Sequence, residues 1–137
     1  MFAGNEKSAP RRRSSCLFTD PELARIGLNE KEANAKCVPY RLFKLPMDEV
    51  LRARTLSETR GFMKALVESA GDRILGFTAF GPDAGEVMSA VQIAMLARLP
   101  YTKLRDAILT HPTVMEGLAP LFSSAPTSVT ESANARA

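Results

Sequence analysis

His111 is the only histidine in the chain, and Glu116 follows it five positions later in Ile108-Leu-Thr-His-Pro-Thr-Val-Met-Glu116. Imidazole is the one side chain whose unperturbed pKa lies near neutral pH. A lone histidine with a carboxylate in reach is therefore a candidate acid/base pair. The carboxylate of Glu116 would orient the ring, raise its basicity and fix which nitrogen carries the proton. The residue types leave a second reading open, in which His111 only caps the preceding helix or lies exposed in a loop. Pro112 restricts His111 to extended backbone and permits a cis peptide between them.

Other side chains with chemical potential form no comparable group. Cys16 and Cys37 lack CxxC or CxxxxC spacing, and with one histidine they cannot complete a four-ligand zinc site, so no metal is expected. Two reduced thiols in a cytosolic protein fit this usage. Arg52, Arg54, Glu58 and Arg60 read as a solvated charge patch rather than an anion site. The phosphate-loop patterns GxGxxG and GxxxxGK[ST] are absent, and so is GxSxG. The net charge of +3 is partly the Arg11-Arg12-Arg13 run, and a nucleic-acid reader would show a denser basic stripe. No apolar run reaches the length of a membrane span, and no secretory signal is visible at the N-terminus, so the cytoplasm is the expected location.

The elements that must present His111 follow from the pattern. Residues 1–13 are polar, basic and proline-containing and read as a disordered leader; Ser123 to Ala137, rich in Ser, Thr and Ala, reads as a disordered tail. The folded domain is expected over residues 14–122. Ser14–Thr19 suits a strand closed by the Asp20-Pro21 turn, and Ala24–Leu28 a second short strand. Asn29 caps a helix to about Lys36, with Glu30 and Glu32 in its first turn. Val38–Leu45 is strand-like and ends at Pro46. Met47–Glu58 is ambiguous, with one helical turn at Asp48–Arg52.

Gly61–Glu68, the turn Ser69–Asp72 and Arg73–Phe80 form the clearest hairpin, with Phe62 or Met63 inward. Gly76 inside the return strand marks a close backbone approach or a bulge. After Gly81-Pro82-Asp83, the longest helix runs over Ala84–Leu99, with Val87, Met88, Val91, Met95 and Leu99 on its apolar face. That face serves a core helix, and another face of the same helix could serve a dimer. Thr102 caps a helix at Lys103–Leu109 with Leu104 and Ile108 inward. Thr110–Thr113 carries His111, and a last helix from Val114 to about Ala119 carries Glu116, with Pro120 limiting its length. Strands, helix, strands and then helices predict an α+β domain: an antiparallel β-sheet with helices packed on one face.

Three stretches in this order resemble a known family: Phe18-Thr-Asp-Pro-Glu-Leu-Ala-Arg-Ile-Gly-Leu28, Gly61-Phe-Met-Lys64 with Arg73-Ile-Leu-Gly-Phe77, and His111-Pro-Thr-Val-Met-Glu116. Together they are similar to the C-terminal dimerisation domain of the pyridine nucleotide–disulfide oxidoreductases, which include mercuric reductase, dihydrolipoamide dehydrogenase and glutathione reductase. The resemblance covers about Ser14 to Phe122. It implies an antiparallel sheet flanked by helices, a homodimer interface, and a histidine that reaches the partner subunit's active site as acid/base for thiol–disulfide exchange. Those roles fall on His111, with Glu116 orienting it. His111 and Pro112 would also meet the flavin held by the partner chain. Full-length members carry FAD and NAD(P) domains and a CxxxxC disulfide. The 137 residues hold none of these, so no cofactor is expected on this chain alone and no reductase activity without a partner. A subunit of a split oxidoreductase and a non-catalytic interaction module remain the alternatives, with no nucleic-acid or membrane partner expected.

Overall fold

The computed structural model of the chain describes residues 13–129. Six strands form one antiparallel sheet: β1 (Ser14–Leu17), β2 (Glu22–Gly27), β3 (Tyr40–Pro46), β4 (Phe62–Glu68), β5 (Ile74–Gly81) and β6 (Thr127–Val129). Their order across the sheet is β1-β2-β5-β4-β3-β6. The helices are α1 (Glu30–Ala35), α2 (Leu51–Thr55), α3 (Ala84–Leu96), α4 (Tyr101–Arg105) and α5 (Leu118–Ser123), with single 3-10 turns at Met47–Glu49 and Val114–Gly117. The expected α+β class is the one observed.

Alternation along the strands decides which face is covered. Met63, Ala65 and Val67 of β4 point to one side with Phe43 and Leu45 of β3 and Phe77 and Ala79 of β5, and all are buried. On that side lie Ala53 of α2, Val87, Val91 and Met95 of α3, Tyr101 of α4 and Leu118 and Leu121 of α5. Met63 is thus the inward residue of the hairpin start. Phe43, Tyr101 and Phe122 close one end of the core, with ring centroids 5.2–5.6 Å apart. The packing is not wholly one-sided: α1 lies on the opposite face, where Ala33 meets Tyr40 and Leu66.

Local signals set several boundaries. Asn29 Oδ1 accepts from Glu32 N (2.8 Å) and Glu32 Oε2 accepts from Asn29 N (3.0 Å), so the expected cap of α1 is a full capping box. The ambiguous stretch resolves into the first 3-10 turn and α2. Asp83 begins α3 with left-handed backbone (φ 53°), and its carboxylate accepts no capping hydrogen bond. Instead Glu22 Oε2, from β2, accepts from Gly85 N at 3.2 Å and satisfies one of the free amides at the start of α3.

Four expectations need correction. The helix placed at Lys103–Leu109 is α4, two residues earlier and shorter, begun by Pro100; Ile108 is fully exposed rather than inward, because the chain has left the helix before reaching it. Helix α3 stops at Leu96, and Leu99 is 41% exposed beyond it. Pro120 does not end the last helix. It sits in the first turn of α5, where its missing amide is not needed. The tail is ordered further than Ser123: Thr127–Val129 pair antiparallel with Leu42–Tyr40, because β3 otherwise leaves an unpaired edge there. Most of the expected leader, residues 1–12, and residues 130–137 of the expected tail lie outside the described residues.

Gly76 meets the expectation of a close backbone approach. A Cβ built there would stand 1.9 Å from Leu28 O, which is backbone and cannot swing away. The sheet register between β5 and β4 also shifts beside it, between Leu66 and Val67. Gly76→Ala should therefore displace the chain between β2 and α1 and destabilise the domain by about 1–3 kcal/mol, as overpacking does. Urea denaturation monitored by circular dichroism checks this, and an unchanged midpoint would show that the segment gives way freely.

Candidate active-site segment around His111

The segment is built from an exposed loop and a buried anchor. After α4 the chain runs irregularly through Asp106–Thr110 and reaches His111 and Pro112, both exposed and joined by a cis peptide. Thr113 adopts extended backbone (φ −135°, ψ 162°) and begins the Val114–Gly117 turn. Val114, Leu118 and Leu121 are buried to within 2% of complete burial and pin this stretch to the core. Gly117 passes close to Val50 and Met63: a Cβ there would lie 3.0 Å from Val50 Cγ2 and 3.1 Å from Met63 Cε. The anchor explains why Glu116, one residue before Gly117, has a defined position although its side chain is 28% exposed.

The structure brings the two expected residues together. His111 Nδ1 lies 2.8 Å from Glu116 Oε1. Glu116 Oε2 accepts from Thr113 N at 2.9 Å, and Thr113 Oγ1 donates to Thr110 O at 2.7 Å. Thr113 and Glu116 pair as a capping box, which sequence reasoning overlooked although the Thr-x-x-Glu spacing is its signature. The amide of Thr113 is the main reason the Glu116 carboxyl is held below its ordinary range, and the bond to His111 adds to it. A carboxylate only accepts, so the nitrogen facing it in neutral His111 carries the proton. That leaves Nε2, which has no partner among the described residues, as a lone pair on an exposed edge able to take a proton from an incoming group.

Beside the ring lies a cleft of about 420 Å³ whose walls are mostly apolar, including Val50, Leu51, Ile108 and Pro120, with Glu49 and Glu116 also in its lining. His111 is 66% exposed and is itself among the residues lining this cleft. The remaining candidates do not join it. Arg54, Glu58 and Arg60 are exposed and Arg52 partly so, and none of the four makes an ion pair among the described residues. Cys16 is partly buried and Cys37 exposed, and neither is bonded to the other. No group of three or more His, Cys, Asp or Glu side chains among the described residues could hold a metal ion. No helix of the described residues is long and apolar enough to cross a membrane.

Glu116 links this geometry to acid stability. Its folded pKa lies below the ordinary 4.5, so its contribution is present above that value and is lost as the pH falls through the depressed folded value. Glu116→Gln keeps a capping acceptor but removes the titration. The variant should therefore lose less stability than the wild type between pH 5 and strongly acidic conditions, as read by thermal unfolding across that range; parallel losses would contradict the assignment.

Comparisons with known proteins agree with this architecture. A family model described as "Pyridine nucleotide-disulphide oxidoreductase, dimerisation domain" matches residues 13–121. The probable pyridine nucleotide-disulfide oxidoreductase RclA of Escherichia coli is 38% identical over 107 residues, which is 78% of this chain and 24% of that protein. A mercuric reductase of Shigella flexneri is 35% identical over 102 residues, covering 74% of this chain and 18% of the reductase. Among solved structures, the HOCl-induced flavoprotein disulfide reductase RclA from E. coli superposes with a TM-score of 0.79 at 36% identity, over 83% of this chain and 26% of that one. LpdA from Mycobacterium tuberculosis shares the fold, with a TM-score of 0.74 at 22% identity. The chain spans about a quarter or less of these relatives' length. By sequence and by fold, this chain belongs to the pyridine nucleotide-disulphide oxidoreductases, as their dimerisation domain.

Proposed function

We propose that this domain supplies the acid/base pair of a disulfide reductase whose other active-site half belongs to a partner chain, and that it is inactive alone. The observation that carries this reading is the His111 ring: Nδ1 is held by Glu116, while the side chain as a whole is 66% exposed and lines an open cleft. A base exposed in this way is open to a group brought by another chain. RclA is named a flavoprotein disulfide reductase, which supports thiol–disulfide exchange as the chemistry. His111 Nε2 would accept the proton of an attacking thiol and return it to the leaving thiolate, with Glu116 stabilising the imidazolium formed between the two steps.

FAD and NAD(P) are implied by the family, and the described residues fit only the edge of such a site. His111 and Pro112 offer an exposed backbone corner, while nothing here cradles a dinucleotide phosphate. When bound by the partner, the flavin supplies electron transfer to the disulfide. His111 and Pro112 would border it, and the apolar cleft beside them would exclude water from the proton transfer. The cytoplasm, where thiols stay reduced, suits such chemistry.

A second copy of this chain is the simplest partner to bring such groups. Ile93 and Leu96 on the outer side of α3 are 67% and 70% exposed, and Ile108 near the cleft is completely so. Large apolar side chains in this arrangement favour a covered surface. Replacing both Ile93 and Leu96 with Lys should convert a dimer to a monomer in analytical ultracentrifugation while leaving the circular dichroism spectrum intact; a wild-type chain that is already monomeric would remove the homodimer.

Reconstitution tests the catalytic role. Mixing this chain with a family flavoprotein stripped of its own dimerisation domain should restore NAD(P)H-dependent disulfide reduction. His111→Ala should lower the restored rate by about 10²-fold or more, the scale of positioned acid/base catalysis. Equal restoration by wild type and His111→Ala would reduce the domain to a structural partner.

A further inference from the structure

The ring of His111 is two-thirds exposed, so packing does little to hold its orientation. What holds it is a short chain of hydrogen bonds that begins at Thr113. The hydroxyl of Thr113 donates to Thr110 O across the His111-Pro112 corner, which lies between those two residues. This ties the start of the corner to its end. The amide of Thr113 then occupies Glu116 Oε2, leaving Oε1 as the oxygen that meets the imidazole. The carboxylate cannot turn both oxygens to the ring without releasing that amide, and a buried anchor one residue later keeps it from moving away as a whole.

The other capping box in the chain shows that this division of labour is not automatic. At Asn29–Glu32 a single oxygen, Oε2, accepts both the Asn29 amide (3.0 Å) and the guanidinium of Arg25 (2.7 Å). At Thr113–Glu116 the two oxygens are separated, one for the backbone and one for the histidine. The hydroxyl that crosses the corner exists only in the second case.

We propose that Thr113 is a positioning residue for the acid/base group, its hydroxyl tie to Thr110 setting the carboxylate so that neutral His111 carries its proton on Nδ1 and presents Nε2 as the base. This rests on the reading of His111 as an acid/base group, but its consequence is visible in the chain by itself. Without the hydroxyl, the corner is free to open. The amide and carboxylate then separate, and the exposed ring returns to a mixture of tautomers.

The single histidine makes the test direct. In the ¹⁵N-labelled chain, long-range proton–nitrogen correlation at mildly alkaline pH reads the protonation of each ring nitrogen without ambiguity. Wild type and Thr113→Ser, which keeps the hydroxyl, should show a protonated Nδ1 and an unprotonated Nε2. Thr113→Val keeps the branched shape but not the hydroxyl and should show averaged nitrogen shifts, in a chain whose amide spectrum elsewhere is unchanged. A Thr113→Val variant that keeps the wild-type Nδ1 signature overturns the proposal. If that variant does not fold, the wild type still decides: the Thr113 amide proton should shift as Glu116 titrates and its hydroxyl proton should be protected from exchange, and absence of either result overturns the proposal. Failure of the reconstitution with the wild-type tautomer intact would sink the proposed function and leave Thr113 as the positioning residue.

Discussion

Val114, Leu118 and Leu121 are buried on one side of the last helical stretch while His111, Pro112 and Glu116 face away from the core on the other. This one-sided burial is the constraint on which the site depends. Each fully buried aliphatic side chain contributes about 1.5–3 kcal/mol relative to exposure. A few such residues therefore suffice to hold a polar segment that has no packing of its own. The sheet supplies the opposing wall through Met63, and α2 is led in by Val50, so Gly117 passes between them at close van der Waals distance. The geometry of the His111–Glu116 segment is thus carried by aliphatic contacts.

Legibility in the sequence follows the range of the interaction. The cap of α1 is formed by residues three apart, and Asn29 and Glu32 announce it. The hairpin of β4 and β5 is likewise local, and Gly76 reveals a contact through the absence of a side chain. The carboxylate that caps α3 comes from Glu22, 63 residues away, and no local pattern near Asp83 contains it. Thr127–Val129 are polar enough to read as a tail; their strand exists because β3 offers an open edge, which is a property of the assembled sheet. Ile108 illustrates the opposite error. An apolar residue at helical spacing from Leu104 reads as inward only while the helix continues, and α4 has ended at Arg105.

The His111–Glu116 pair lies between these cases. Its two members are close in sequence, so their meeting could be expected from spacing, and the resemblance to a reductase domain assigns them roles. The Thr113 box that joins them is equally local. What the spacing alone does not contain is the direction of the free imidazole edge, because that depends on where α5 and the sheet core hold Glu116.

The hydrogen bonds around the corner run between residues within Thr110 to Glu116. Three of the contacts that order this loop are therefore local to the domain. A partner that docks against it need not supply the conformational entropy of fixing the ring and its carboxylate, so more of the contact energy remains for association itself. For the acid/base role proposed above, such preorganisation would present the group in working orientation and spare the barrier a rearrangement.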